Sequence, residues 1–405
     1  MAENEATSRE LATRESWPLR FVLRAFGHWR YGSLSVILPN GERVEFAGTE
    51  PGPHAELEFR NYKLVRKLLL RGDIGFAESY MDGDWDAPHL DALLEAFLRN
   101  QSALAEIAEG GWLARLTNKA LHQLRRNSRA GSRRNISYHY DLGNAFYGLW
   151  LDETWAYSSA VFAMPEQALA EAQTNKFRLM LERLDLKAEH HLLEIGSGWG
   201  GFALYAARET GCRVTSITLS QEQLEAARSR AQAEGLSDRV EFRLLDYRDL
   251  DDQYDRLVSI EMYEAVGERY WPEYFASVQR ALKPGGRAAI QGITIDDGIF
   301  DYYRRNVDFI QTYIFPGGML ASVKAFEQQA STAGLRFDDA RFYGQHYAAT
   351  LREWRRRVWL ARDKITQMFD PRFLRMWLYY LAYCEVGFRL GRIDLMQVTL
   401  YKPVD

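Results

Sequence analysis

The stretch His191-Leu-Leu-Glu194-Ile-Gly196-Ser-Gly198-Trp-Gly200-Gly201 is an apolar run of strand length that breaks into closely spaced glycines, and its reading decides the fold. It reads as a buried strand, a tight turn and the start of a helix carrying Phe202, Leu204, Tyr205 and Ala206. Glycines at such a turn let the backbone approach a ligand closely, and the helix start offers unpaired N–H groups. A glycine turn alone is weak evidence, because dinucleotide-binding enzymes place G-x-G-x-x-G at the same point. Here the spacing is G-x-G-x-G-G, and Glu194 precedes the first glycine by two residues. Toward the C-terminus, strands and helices alternate. Arg213 to Thr218, Val240 to Leu244, Asp255 to Ile260 and Arg287 to Ile290 read as strands, with a helix beginning near Ser220 and a turn at Leu282-Lys-Pro-Gly-Gly286. The alternation predicts an α/β fold, a parallel sheet with helices on both faces.

The N-terminal side reads differently. Ser33 to Leu38, a Pro39-Asn-Gly-Glu42 turn and Arg43 to Phe46 predict a hairpin. Leu64, Leu68 and Leu69 predict a helix stopped by Gly72, and Leu90, Leu93, Leu94 and Phe97 a second one. The expected organisation is a small α+β domain over residues 1–115, a basic linker over 116–134, and the larger α/β domain over 135–405.

The 405 residues are 47% hydrophobic, 26% charged and 13% aromatic, which excludes disordered, collagenous and disulfide-scaffold classes. Cys212 and Cys384 stand far apart, so neither a disulfide framework nor a metal site is expected. The uncharged run from Phe309 to Val323 is too short and too broken for a membrane span. The N-terminus (Glu3, Glu5, Arg9, Glu10) lacks the apolar segment of a signal peptide, and a cytoplasmic, reduced setting is expected. A net charge of −4 gives no global attraction to nucleic acid. Two local clusters stand out: Arg125, Arg126, Arg129, Arg133 and Arg134, and then Arg352, Arg355, Arg356, Arg357, Arg362 and Lys364 interleaved with Trp354, Val358, Trp359 and Leu360. One reading is a solvated linker and a solvated helix face. The other is peripheral contact with an anionic, inner-membrane surface, at ~1 kcal/mol per basic residue near the headgroups.

Asp246-Tyr247-Arg248-Asp249 follows the third strand, where an acid is placed to accept from an adenine amino group, and the Lys-Pro-Gly-Gly turn precedes the fifth. With the glycine turn, the set resembles the class I S-adenosylmethionine (SAM) methyltransferases, whose fold is a Rossmann-like sheet. The second strand ends without the ribose-binding acid common in that class, in Thr218-Leu-Ser-Gln-Glu-Gln223. That string, together with Glu78-Ser-Tyr-Met-Asp-Gly83, His139-Tyr-Asp-Leu-Gly-Asn144, Tyr157-Ser-Ser-Ala160, Met262-Tyr-Glu-Ala-Val-Gly267, Tyr313-Ile-Phe-Pro-Gly317 and Tyr379-Tyr-Leu-Ala-Tyr383, resembles the cyclopropane-fatty-acyl-phospholipid synthases and mycolic-acid cyclopropane synthases. The resemblance covers nearly the whole chain. It implies SAM-dependent C-methylation of a cis double bond in an unsaturated acyl chain of membrane phospholipid, and it admits a homodimer. A methyltransferase for a small soluble metabolite, and a lipid-binding protein on an inactive methyltransferase fold, are the competing readings.

Carried over by position, the resemblance assigns the SAM site to Tyr157, Ser158, Gly196, Gly198, Thr218, Leu219, Gln223, Asp246, Tyr247 and Arg248. The family's chemistry needs a dry site that aligns an alkene with the sulfonium methyl, aromatic faces for the resulting cation, and a base. The aromatics Tyr302, Tyr303, Phe309, Tyr313 and Phe315 cluster after the fifth strand. The resemblance implies a bound bicarbonate as base, held by Ser159, Glu264, Gln291, Ile293 and Tyr347. Ser159 replaces the family's Cys, Gln291 its His, and Ala265 stands where a second His is common. Neither Ser nor Gln titrates near neutral pH. A weakened or displaced base is therefore expected, with a methyl-branched unsaturated product (a conceivable furan fatty acid precursor) favoured over a true cyclopropane.

Overall fold

A computed structural model describes residues 17–104 and 142–404. The expected linker, its five arginines, the boundary at residue 115, the N-terminal charges and the motif residues His139, Tyr140 and Asp141 lie outside the described residues. Packing divides the chain into two units that are not contiguous in sequence. The first joins Met1–Leu121 with Asn306–Tyr313 and Arg362–Val386, and the second comprises His122–Arg305, Ile314–Ala361 and Gly387–Asp405.

In the first unit, β1 (Tyr31–Ile37) and β2 (Arg43–Ala47) form the expected antiparallel hairpin, with Leu34 opposite Phe46 and Val36 opposite Val44, all buried. β3 (Glu50–Phe59) runs parallel to β1 and pairs with β4 (Trp85–Asp86), giving the order β2-β1-β3-β4. The helix predicted to stop at Gly72 is broken there: the helical stretch Lys63–Met81 is two helices meeting at a kink, where Gly72 (φ 58°, ψ −134°) is non-helical. Glycine takes that conformation without a Cβ penalty, and Ile74, Phe76, Ala77 and Tyr80 beyond the kink bury enough apolar surface to hold the second helix. The two later segments pack here through side chains. Phe309 meets Tyr379 edge-on at 4.9 Å, Tyr313 donates its hydroxyl to Glu78, and Arg375 lies 3.9 Å above the Tyr80 ring.

The second unit carries the sheet predicted from the glycine turn. β5 (His191–Ile195), β6 (Arg213–Thr218), β7 (Val240–Leu244), β8 (Tyr254–Ile260) and β9 (Leu282–Ile295) are parallel neighbours in the order β9-β8-β5-β6-β7. β10 (Ala321–Ser322) adds a short parallel pairing to β9. β11 (Arg336–Phe342) and β12 (Ile393–Tyr401) extend the sheet beyond β9 by antiparallel pairing. β9 is longer than predicted. It takes in the Lys-Pro-Gly-Gly turn as an irregularity between the Tyr254–Leu282 and Arg256–Arg287 pairs. Helices cover both faces. Leu169–Leu184, Gly201–Thr210 and Gln221–Ala233 close over one core of Phe177, Met180, Phe202, Leu224, Val240 and Phe242. Trp271–Ala281 and Val323–Thr332 close over the other, with Tyr263, Tyr274, Phe275, Phe326 and Val398. Strand order reverses direction at β5, between β6 and β8. The carboxyl ends at that point are where open α/β sheets bind ligands.

Candidate active site

A cleft opens at those carboxyl ends. Its floor is the turn after β5: Gly196 at φ +100° and Gly198 at φ +49°, conformations in which a side chain is strained. A Cβ at Gly198 would meet nothing within 4 Å, whereas one at Gly196 would press on Met262 Cγ at 3.2 Å. After β6, Thr218 Oγ1 donates to Gln223 Oε1 (2.9 Å), and Ser220 caps the next helix by accepting from the Gln223 N–H (3.3 Å). After β7 come Leu245 and Tyr247, and after β8 Glu261 and Met262. The cleft wall also includes the aromatic residues Trp155, Tyr157, Phe177, Trp199 and Phe202.

Of the residues expected to hold the cofactor, Tyr157, Ser158, Gly196, Gly198, Thr218, Leu219, Gln223 and Tyr247 line this cleft. Asp246 and Arg248 do not. The Asp246 carboxylate takes the Arg248 guanidinium at 2.8 Å and 2.6 Å, with both side chains 3% exposed. That pair braces the turn below Tyr247. A carboxylate so engaged keeps acceptor capacity, but much of it goes to its own chain.

None of the five residues expected to hold an anion lines the cleft: four of them donate to protein carboxylates, and the fifth, Glu264, is itself an acceptor. The Ser159 N–H and Gln291 Nε2 both donate to Glu261 Oε1 at 2.8 Å, and the Tyr347 hydroxyl donates to Glu261 Oε2 at 2.5 Å. The Ile293 N–H donates to Glu264 Oε1 at 2.5 Å. Gln291 is fully buried between β8 and β12, and its Oε1 accepts from Gln397 Nε2 at 2.8 Å. Gly292 permits this packing. A Cβ there would collide with the Tyr263 ring at 2.3 Å. Glu264 Oε2 is buried without a hydrogen-bond partner, and burial followed by the Glu261 charge pushes the Glu264 carboxyl up to about 8. Of the clustered aromatics, Tyr302, Tyr303 and Phe315 belong to the second unit and none of the three lines the cleft, while Phe309 and Tyr313 belong to the first unit.

Glu261 escaped the sequence reading. It follows the last residue of a parallel strand, the standard place for functional groups in such sheets, yet the recognised motif began one residue later, at Met262. Lys176 escaped as well. It sits mid-helix, fully buried, with Nζ donating to Ser158 Oγ at 2.7 Å. Burial lowers its pKa to about 8 against the raising effect of Glu261, Asp152 and Glu194. Glu194 lies under the glycine turn, accepts from Ser216 Oγ at 2.5 Å, and is pushed by burial up to about 8.

Comparison with known proteins places this architecture among lipid-modifying enzymes. Residues 127–398 match the family model described as mycolic acid cyclopropane synthetase. The tuberculostearic acid methyltransferase UfaA1 of Mycobacterium tuberculosis is 43% identical over 348 residues, 84% of this chain and 81% of that protein. The cyclopropane-fatty-acyl-phospholipid synthase of Escherichia coli K12 is 35% identical over 364 residues, 87% of this chain and 89% of the relative. Among solved structures, mycolic acid cyclopropane synthase CmaA1 complexed with SAH and CTAB superposes with TM-score 0.64 at 29% identity, covering 67% of this chain and 98% of CmaA1.

Proposed function

The chain belongs to the mycolic acid cyclopropane synthetase family of SAM-dependent methyltransferases, which act on fatty acyl lipids, and from that premise we propose that it methylates one carbon of a cis double bond in an unsaturated phospholipid acyl chain, giving a methyl-branched unsaturated product. The cleft fits SAM: a glycine floor that leaves open space at Gly198, a polar wall at Thr218 and Gln223, and aromatic faces around it. Bound there, SAM supplies a sulfonium methyl whose carbon bonds to the alkene's π pair while the C–S pair departs with the thioether, leaving a cation on the neighbouring chain carbon. Trp155, Tyr157 and Trp199 line the cleft, and an aromatic ring face favours a nearby cation by ~1–2 kcal/mol when desolvated. Their bulk also excludes the water that would otherwise capture it.

One observation carries the choice of product. Ser159, Gln291, Ile293 and Tyr347, the donors a bicarbonate would need, donate to Glu261 and Glu264 instead. An added anion would face the Glu261 carboxylate, with Glu264 beside it holding its proton up to about pH 8, and would lose those donors. This argues against an external base aimed at the new methyl, and so for proton loss from the chain.

The test is turnover on unsaturated phospholipid vesicles with trideuteromethyl SAM. Proton loss from the chain leaves three deuteriums in the product. Ring closure leaves two and resists mild hydrogenation, an outcome that would establish a cyclopropane and overturn the methyl-branched reading. Peripheral docking on an anionic surface belongs to the same proposal. Its support is the pair of exposed residues Trp359 and Leu360 beside Arg352 and Arg355, although Arg356 and Arg357 share Glu353 at 2.8 Å each.

A further inference from the structure

We propose that the Glu261 carboxylate is the proton acceptor of the reaction, a built-in anion in the place where the family resemblance expects bicarbonate. The inference rests on the acyl-methylation reading above. Three features of the chain carry it.

The first is position. Glu261 lines the same cleft as Gly196, Met262, Tyr157 and Ser158, so it borders the space in which acyl chain and methyl would meet, with its carboxylate held by donors on the wall behind. The second is backbone conformation. Glu261 adopts φ +50°, the left-handed region that residues with side chains seldom enter, and its N–H is held by the Gln291 carbonyl at 2.8 Å. A strained residue at the end of a strand beside a ligand cleft is held there by its surroundings, and such strain gathers at functional sites. The third is the donor set. Ser159, Gln291 and Tyr347 come from a loop, from β9 and from the helix Gly344–Leu360, and all three aim at this one carboxylate.

The identity of the partners suits a base. Backbone N–H, amide and phenol donors fix the carboxylate without competing for its proton near neutral pH, whereas an imidazole in place of Gln291 would take the proton itself. The buried Lys176 is turned to Ser158 Oγ, so it contributes positive potential from a short distance while Tyr347, Ser159 and Gln291 occupy the carboxylate oxygens. Burial pushes the Glu261 carboxyl above the ordinary carboxylate range, against the lowering effect of those donors and of Lys176. The step balances within the site. A C–H bond on the chain carbon beside the cation breaks, its electron pair becomes the new C=C bond, and the proton forms an O–H bond on Glu261, to be lost to solvent after product leaves.

The experiment uses the full-length protein and two variants. Glu261→Gln keeps shape and removes the base. Glu261→Gly suits φ +50° and opens room for a small anion. Calorimetry should give SAM affinities within about threefold of wild type for both, reporting an intact cleft. Turnover on unsaturated phospholipid vesicles should fall by about 100-fold or more in each. Added formate or bicarbonate should restore about tenfold in Glu261→Gly and nothing in Glu261→Gln. NMR with 13C-bicarbonate, independent of turnover, should show saturable binding to Glu261→Gly and none to wild type. Bicarbonate binding by wild type, loss of wild-type turnover in bicarbonate-free buffer, or Glu261→Gln turnover within about threefold of wild type would each overturn the proposal. If SAM binds and the NMR pattern is as expected but no form methylates vesicle lipid, the acyl-chain reading fails while the replacement of bicarbonate by Glu261 stands.

Discussion

The two ends of the cleft are assembled on different plans. At the SAM end, the polypeptide folds back within short stretches: Gly196 to Gly201 makes the floor, and Thr218 reaches Gln223 five residues on. At the Glu261 end, partners arrive from 102, 86 and 30 residues away. The SAM end rests on backbone conformation, where glycine is required because φ is positive. The Glu261 end rests on side-chain hydrogen bonds among buried groups. A site of the first kind is damaged by adding atoms, and one of the second kind by removing them.

The largest expected effect tests the SAM end by addition. In Gly196→Val, a branched side chain at φ +100° would press on Met262 and project toward the cofactor. SAM affinity measured by calorimetry should fall by about 100-fold or more while the circular dichroism spectrum persists. Unchanged affinity in a folded variant would break the assignment of this end.

A smaller effect tests the Glu261 end by removal. Tyr347→Phe deletes the hydroxyl that donates to Glu261 Oε2, in a ring stacked on Phe388 at 4.4 Å that keeps its packing. Loss of one donor to a charged acceptor is worth about 1.5–3 kcal/mol, so turnover should drop by about 10- to 100-fold. SAM affinity should hold. A drop in SAM affinity of equal size would show that the two ends are one unit, and the comparison would collapse.

The same contrast explains what the sequence could show. Strand β5, its glycines and the strands β6 to β8 were legible because period, turn chemistry and motif all lie within a few residues of one another. Their ends were placed to within one residue at His191, Ile195, Arg213, Thr218, Val240, Leu244 and Ile260. Gly72 does break the helix as its sequence suggests, but the second helix beyond it, with Ile74, Phe76 and Tyr80 buried, went unread. β11 went unread because it is mostly exposed and gives no apolar run, and β12, though mostly buried, because Asp394, Gln397 and Thr399 interrupt its apolar residues. At the site, Ser159, Gln291 and Tyr347 entered by resemblance, but their common acceptor could not be read from spacing. Asp246 shows a partner that its position does not announce: placed after β7 where an adenine contact is expected, its carboxylate also takes the guanidinium of Arg248 two residues on.

The smallest effect concerns Glu264, which does not line the cleft. Its Oε1 takes the Ile293 N–H, its Oε2 is buried without a partner, and burial with the neighbouring Glu261 charge raises its pKa to about 8 from an ordinary value of 4.5. A carboxyl whose folded pKa is raised binds its proton more tightly in the native state. Its contribution to stability is therefore complete below about pH 4.5 and is lost as pH rises through about 8. Glu264→Gln keeps an oxygen for the Ile293 N–H and places an uncharged amide where the carboxylate would ionise. Chemical denaturation should find the variant nearest to wild type at about pH 5 and increasingly more stable than wild type as pH rises toward about 8.5. Glu194, also raised to about 8, gives both proteins the same falling slope, so the difference between them isolates Glu264. If the gap fails to widen with pH, Glu264 is ionised in the native state. The cation that would then have to face it belongs on the substrate side, and Glu264 rather than Glu261 would become the residue to remove first.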